Sequence, residues 1–229
     1  IPLVWAGLHV VRSATSYPGG WLSDRLGPRV AVAAGGLLFA LVAGTLWLPS
    51  IFYSAGYLRA NGEHHQARFF ACFALSIASA IGIAFAGNLL TLFVFYEALT
   101  LVTWPLVTHH GDAEARRGGR TYLAMLLGTS TLFLLPAIVA TWVLAGTLDF
   151  VPGRFPRDRV SPGVATLLLL LFAFGIGKAA LMPFHRWLPA AMVAPTPVSA
   201  LLHAVAVVKA GVFSIVKVVV YVFGLDAAR

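Results

Sequence analysis

Three lysines, Lys178, Lys209 and Lys217, are the residues of this chain best placed to do chemistry, because each lies in sequence too apolar for a soluble protein to charge. Lys178 sits in LLLLLFAFGIGKAALMPF, and the other two sit in SALLHAVAVVKAGVFSIVKVVVYVFG. An ammonium at bilayer depth costs about 2.5–3.5 kcal/mol on insertion scales, so it persists where it lines a hydrated path or faces a carboxylate. Lysine is the basic side chain that desolvation can strip of its proton, whereas arginine stays charged. A carboxylate is at hand, because Glu97 lies near the middle of NLLTLFVFYEALTLVTWPLV. A Glu97–Lys178 pair would offset part of both desolvation costs. His203, in the same stretch as Lys209, can donate and accept a proton near neutral pH, as a relay requires. The pattern reads as proton handling inside a membrane.

Each residue also has a plainer reading. Glu97 in its protonated form could simply hydrogen-bond a neighbouring helix. Lys178 is five residues before Pro183 and Lys217 is near the far end of its helix, so both could snorkel to an interface. Lys209 is twelve residues beyond Pro197, about 18 Å along a helix, where snorkelling is hard. A lone helical histidine such as His203 is often a packing residue. On an ideal helix at about 100° per residue His203 and Lys217 share a face, while His203 and Lys209 point about 120° apart. A direct His203–Lys209 transfer therefore needs water or a helix distortion. In MPFHRWLP, His185 and Trp187 read as interfacial anchors; the functional alternative is a ligature at a helix break, with a proton role for His185. His109 and His110 open a polar loop and read as solvated.

Composition sets the class. The chain has 229 residues, 59% hydrophobic and 10% charged, with a mean hydropathy of +0.87. Soluble domains carry about 25% charged residues, so this is an integral membrane protein lying in a lipid bilayer. The net charge of +8 comes mainly from arginines in loops. That fits a positive-inside topology better than nucleic-acid binding. The single cysteine, Cys72, lies in an apolar run and reads as packing; it excludes an internal disulfide and any cysteine-held cluster. No Walker loop, dinucleotide glycine fingerprint, metal-ligand spacing or nucleophile–base pair occurs. The expectation is no cofactor, no metal and no catalytic or redox site in this chain.

The elements that must position these residues follow from length and punctuation. A membrane-crossing helix needs about 20 mainly apolar residues. Residues 1–17 hold a partial span interrupted by Arg12, and residues 30–49 a full span ending at Pro49. After the polar loop RANGEHHQAR, residues 69–108 are long enough for two helices, divided by the turn chemistry of Gly87-Asn88. HHGDAEARRGGR (109–120) reads as a loop, followed by a span over 121–145 and a second loop over 146–161. Residues 162–182 form a helix that runs into Pro183, with Pro189, Pro195 and Pro197 close behind. Proline removes a helical donor and clashes with the preceding turn. Broken helices at membrane depth are a common way to build ion sites, although an ordinary loop would also account for the prolines. Residues 197–224 read as one long helix. The fold class is all-α, a polytopic transmembrane bundle of about seven spans with one proline-broken helix.

From about Ile51 onward the chain resembles the proton-conducting antiporter family. These are the membrane subunits shared by complex I, the proton-pumping NADH:quinone oxidoreductase, and the Mrp-type multisubunit cation/proton antiporters. The resemblance rests on NLLTLFVFYEALTLVTWPLVTHH (88–110), similar to the family's fifth helix, and on GKAALMPFHRWLPAAMVAPTPVSALLHAVAVVKAG (177–211), similar to its broken seventh and its eighth helices. The Phe-Tyr-Glu-x-Leu-Thr form and IFYSAGYLR lean toward the Mrp D-type subunits. Residue by residue, Glu97 matches the helix-five glutamate, Lys178 the helix-seven lysine, and His203 and Lys209 the helix-eight relay positions. The resemblance implies a Glu97–Lys178 pair whose coupling tunes the lysine, and a proton moving from Lys178 toward the next helix.

The first fifty residues do not fit that family. SYPGGWLSDRLGPRVAVAAGGLLFALVAG (16–44) resembles instead the loop motif of the major facilitator superfamily, here Gly20, Asp24, Arg25, Gly27 and Arg29. The two resemblances imply topologies that differ by one membrane crossing. Arg12, Arg25 and Arg29 place loop 12–29 in the cytoplasm, whereas Arg116, Arg117 and Arg120 agree with the antiporter scheme. Arg154, Arg157 and Arg159 fall in the loop that this scheme puts outside.

The expectation is a junction near residues 48–51, dividing 1–50, major-facilitator-like, from 51–229, a partial proton-translocation domain. The chain opens at Ile1 within apolar sequence and stops just after another apolar span, so a fragment is expected. The leading function is proton translocation within a multisubunit monovalent cation/proton antiporter of the cell membrane. Its partners would be other antiporter subunits, protons and Na+ or another monovalent cation. The alternatives are a pump subunit like those of complex I, a major facilitator solute carrier, and a non-functional fusion product.

Overall fold

The computed structural model describes residues 28–150 and 160–223. The partial first span, the major-facilitator-like loop residues Gly20, Asp24, Arg25 and Gly27, and the arginines of 151–159 lie outside the described residues. What is described is helical, in the order α1 Pro28–Ala60, α2 Gln66–Phe85, α3 Leu89–Val107, α4 Ala113–Ala145, α5 Pro162–Gly175, a broken segment, and α7 Thr196–Phe223. Within the broken segment lies the one-turn helix α6, Trp187–Ala190. Helices α1, α2, α3, α4 and α7 are each long and apolar enough to cross a membrane, while α5 is apolar but shorter.

The turn between α2 and α3 forms where Gly87-Asn88 predicts it. Asn88 takes an extended conformation and its side chain accepts the Thr91 N–H at 2.7 Å, filling one of the donors a helix start leaves open. Strands are absent among the described residues apart from a single bridge between Asn88 and Asp149, which ties this turn to the chain leaving α4. The Leu89 N–H donates to Leu148 O at 2.9 Å, and the Phe150 N–H to Gly87 O at 3.2 Å.

Three boundaries and the regularity of one helix differ from the sequence reading. Helix α1 does not end at Pro49 but runs on to Ala60. Helix α4 begins at Ala113, inside the stretch that reads as loop, because Asp112 caps it by accepting the Ala115 N–H at 2.7 Å. Helix α5 stops at Gly175 rather than running to Pro183; Gly177–Ala179 then make a 3-10 turn and Ala180 is left-handed at φ 56°. Pro183 therefore sits in backbone already broken. Helix α7 is one long helix, but two π-helical stretches, Leu201–Val205 and Val219–Phe223, flank its α-helical middle.

The core is a continuous apolar cluster running through α2, α3, α4, α5, the broken segment and α7, with Phe69, Leu92, Leu99, Leu126, Phe172 and Val207 fully or almost fully buried. Helix α1 lies at its edge. Only 11% of its most apolar window is buried, against 33–47% for the other four long helices, so most of its surface faces away from the bundle.

Candidate proton site at the broken helix

Lys178 is fully buried. The break that α5 makes after Gly175 turns the chain so that Lys178 meets α3 at Tyr96 and Thr100, one helical turn apart. Its backbone N–H donates to the Tyr96 hydroxyl at 2.9 Å. Its Nζ donates to the Tyr96 carbonyl at 2.8 Å and to the Thr100 hydroxyl, and lies 3.3 Å from the Tyr96 ring centroid. Two hydrogen bonds and a cation–π contact thus solvate the ammonium in place of water. Neutral groups hold it, and the Glu97 carboxylate does not touch it.

Glu97 follows Tyr96 on α3, about 100° around the helix axis. Both its carboxylate oxygens are buried and have no hydrogen-bond partner among the described residues. The carboxylate is nonetheless near enough for its charge to act on the lysine and on Tyr122. Tyr122, on α4, shares a 2.6 Å hydrogen bond with Thr103 of α3.

Small residues and one tryptophan shape the break. A Cβ on Gly211 of α7 would lie 2.5 Å from Ala179 N and 2.6 Å from Lys178 C, so α7 presses directly on the lysine turn. A Cβ on Gly177 would lie 2.3 Å from the Thr129 hydroxyl of α4. Trp187 is fully buried and its Nε1–H donates to Gly177 O at 2.9 Å. Sequence alone makes Trp187 an interfacial anchor, because the ring type suits both places. Its carbonyl partner ten residues back makes it the ligature instead. His185, two residues earlier, is exposed.

The helix-eight residues lie apart from this cluster. His203 is exposed, with Nε2 3.1 Å from Met192 Sδ, and it occupies the first π-helical stretch of α7. Such stretches often mark functional positions, and this one is a distortion between His203 and Lys209. Lys209 is exposed in the wall of a groove of about 420 Å³ lined by Leu38, Phe39 and Val42 of α1 and Phe213 and Val216 of α7. Pro195 and Pro197 start α7, and the Pro195 carbonyl accepts the N–H groups of Val198 and Ser199 at 2.9 and 3.0 Å. Pro189 lies in α6.

Lys217 does not snorkel. It is 4% exposed and its Nζ donates to Ile83 O at 3.2 Å and Ala86 O at 2.7 Å, the carbonyls at the end of α2. A cation at the negative end of a helix is stabilised by the backbone dipoles. Nor are His109 and His110 simply solvated. His109 is 7% exposed, and both imidazoles approach Glu63 in the α1–α2 loop. Sequence reading missed Tyr96, Thr100, Tyr122 and Glu63; the polar residues of α3 recurring at 96, 100 and 103 were the available signal.

Residues 86–228 match the family model described as NADH:quinone oxidoreductase/Mrp antiporter, TM. The chain belongs to this family. Among curated relatives it is 40% identical over 153 residues to a probable K(+)/H(+) antiporter subunit of A/B designation from Rhizobium meliloti (strain 1021), covering 66% of this chain and 15% of that protein. It is 32% identical over 181 residues to the "Putative antiporter subunit mnhA2" of Staphylococcus epidermidis (strain ATCC 12228 / FDA PCI 1200), covering 77% and 22%. Both relatives carry A-type names, where the sequence motif leans to the D-type. Among solved structures, the Mrp complex from Dietzia sp. DQ12-45-1b is similar at 31% identity and a TM-score of 0.62, over 70% of this chain and 18% of that one. The membrane-bound sulfane sulfur reductase, an archaeal respiratory membrane complex, is similar at 26% identity and a TM-score of 0.60, over 68% and 32%. The chain thus spans about a fifth of the curated relatives it matches. As a member of the antiporter family with five helices able to cross a bilayer, it is a multi-pass protein of the cell membrane.

Proposed function

We propose that this chain carries a proton-translocating unit of a multisubunit monovalent cation/proton antiporter, working beside other subunits and exchanging protons for Na+ or another monovalent cation. The observation that carries the reading is Lys178, fully buried at the helix break and solvated by Tyr96 and Thr100 while Glu97 stands unpaired on the same helix. A lysine with two alternative partners on one helix is a switch. Swinging from the Tyr96 carbonyl to the Glu97 carboxylate exchanges a neutral cradle for an opposite charge, and the proton can leave only when the ammonium is not so paired. From Lys178 the proton passes toward α7, where His203 and Lys209 are the receiving groups, with water bridging the angle between them. His185, exposed after the break, is an accessory group.

A second reading, a pump component of a complex I-like oxidoreductase, is favoured by the likeness to an archaeal respiratory complex. The same site serves it, with electrons handled in another subunit. We further propose that residues 1–50 are a segment foreign to this family, joined near Pro49. The slight burial of α1 supports this.

The test belongs in the full-length subunit within its assembled complex. Lys178→Ala should abolish coupled proton movement in membrane vesicles. Lys178→Arg should fail as well, since arginine keeps the charge but cannot release the proton. Normal transport by Lys178→Arg would make the lysine a fixed charge and overturn the relay.

A further inference from the structure

A second set of titratable groups lies at the loop end of α3, away from Lys178. Glu63 stands in the short loop between α1 and α2, with its side chain 15% exposed. The loop is held by the Glu63 N–H donating to Leu58 O at 2.9 Å and by the Gln66 amide donating to Glu63 O at 3.2 Å. One carboxylate oxygen is 3.6 Å from His109 Nε2 and the other 3.7 Å from His110 Nδ1. The carboxylate thus spans both imidazoles. His109 is buried edge-on against the Phe69 ring, with centroids 5.3 Å apart, and its Nδ1 has no hydrogen-bond partner among the described residues. The ring thus faces the carboxylate with Nε2 and keeps a second buried nitrogen, Nδ1, open for a proton or a water. No group of three His, Cys, Asp or Glu side chains among the described residues could hold a metal ion.

We propose that Glu63, His109 and His110 form a shared proton-binding site, a station that takes protons from water for the membrane path beginning at Glu97. The proposal rests on the proton-translocation reading above. With one carboxylate between two imidazoles, the first proton completes a neutral ion pair. A second would set two imidazolium rings 6.2 Å apart against one carboxylate, so the site loads one proton at a time and titrates as a unit. The other charges facing His109 are Arg68 of α2 and His65 of the α1–α2 loop, and both oppose its protonation, as does His110. Burial acts the same way and outweighs the pull of Glu63, keeping His109 below the ordinary histidine value. The carboxylate is thus the one neighbouring charge that favours protonation of His109. Glu97 lies ten residues before Val107, the end of α3, about 15 Å along the helix; His109 follows in the turn beyond, and the Thr103–Tyr122 hydrogen bond stands between.

The experiment uses the full-length subunit in its assembled complex. Nitrogen NMR of the histidine-labelled complex, assigned with His109→Gln, follows the His109 ring against pH and gives that residue's midpoint. Glu63→Gln should lower this midpoint. A midpoint that does not move would overturn the shared site. In vesicles, Glu63→Gln should shift the pH profile of proton transport about one unit toward acid. A shifted His109 midpoint with an unchanged transport profile would overturn the station. Normal transport by Lys178→Arg would instead overturn the relay and leave the His109 titration untouched, so the two failures are distinguishable.

Discussion

Lys178 is bound to Tyr96 at both ends: the lysine's backbone N–H donates to the tyrosine hydroxyl at 2.9 Å, and its Nζ donates to the tyrosine carbonyl at 2.8 Å. One residue of α3 thus fixes both the broken backbone and the charge it carries. Tyr96→Phe keeps the ring beneath the ammonium and removes only the hydroxyl, leaving the buried Lys178 N–H without its acceptor. The expected cost is about 1–3 kcal/mol, read as a lower unfolding midpoint in lipid nanodiscs. An unchanged midpoint would mean that the break is held by its other contacts.

Gly211 tests the pressure of α7 on the lysine turn. Its missing Cβ leaves room for Ala179 N and Lys178 C, which are backbone atoms and cannot rotate away. Gly211→Ala should cost about 1–3 kcal/mol as overpacking and displace the turn that aims Lys178. Proton transport should fall on the order of a hundredfold, the scale of a misplaced reacting group. Gly128→Ala, where nothing stands within 4 Å, should leave transport unchanged in the same vesicle assay.

Lys217 holds the end of α2. Lys217→Met keeps an unbranched apolar stem but withdraws the donor from Ile83 O and Ala86 O. We expect a loss of about 1–3 kcal/mol and faster hydrogen exchange confined to the α2–α3 turn. Exchange that rises equally across the bundle would argue for a general packing role.

The stability of the loop end should depend on pH with a definite sign. Burial holds His109 below its ordinary value of 6.5 in the folded chain, more strongly than Glu63 raises it. The unfolded chain therefore binds more protons between the folded and unfolded values. Stability is full above about pH 6.5 and falls as pH drops toward the folded value. His109→Gln should flatten this acid limb in unfolding measurements, and Glu63→Gln should steepen it. A limb unchanged by His109→Gln would assign it to another group.

Composition and local punctuation make much of this molecule legible. A hydrophobic share of 59% requires a membrane, and Gly87-Asn88 and Asp112 mark helix boundaries through hydrogen bonds to residues only a few positions away. Lys178 and Glu97 stand out because a charge in an apolar run is costly wherever the run folds. Local reasoning fails where another contact outweighs it. Pro49 reads as a helix end, yet α1 passes through it, and HHGDAEARRGGR reads as loop although Asp112 starts a helix there.

The sequence by itself determined the class of protein, the lysines and glutamate set in apolar runs, and the region where a helix must break, because each follows from composition or from bonds between near neighbours. Tertiary structure alone decided that Lys178 rests on Tyr96, 82 residues away, that Lys217 ends α2 across a separation of 131, and that Glu63 meets His109 and His110. Those pairings depend on which helix faces packed together. No local pattern of side chains records that choice, because it is made by the apolar surface that α3, α4 and α7 bury jointly.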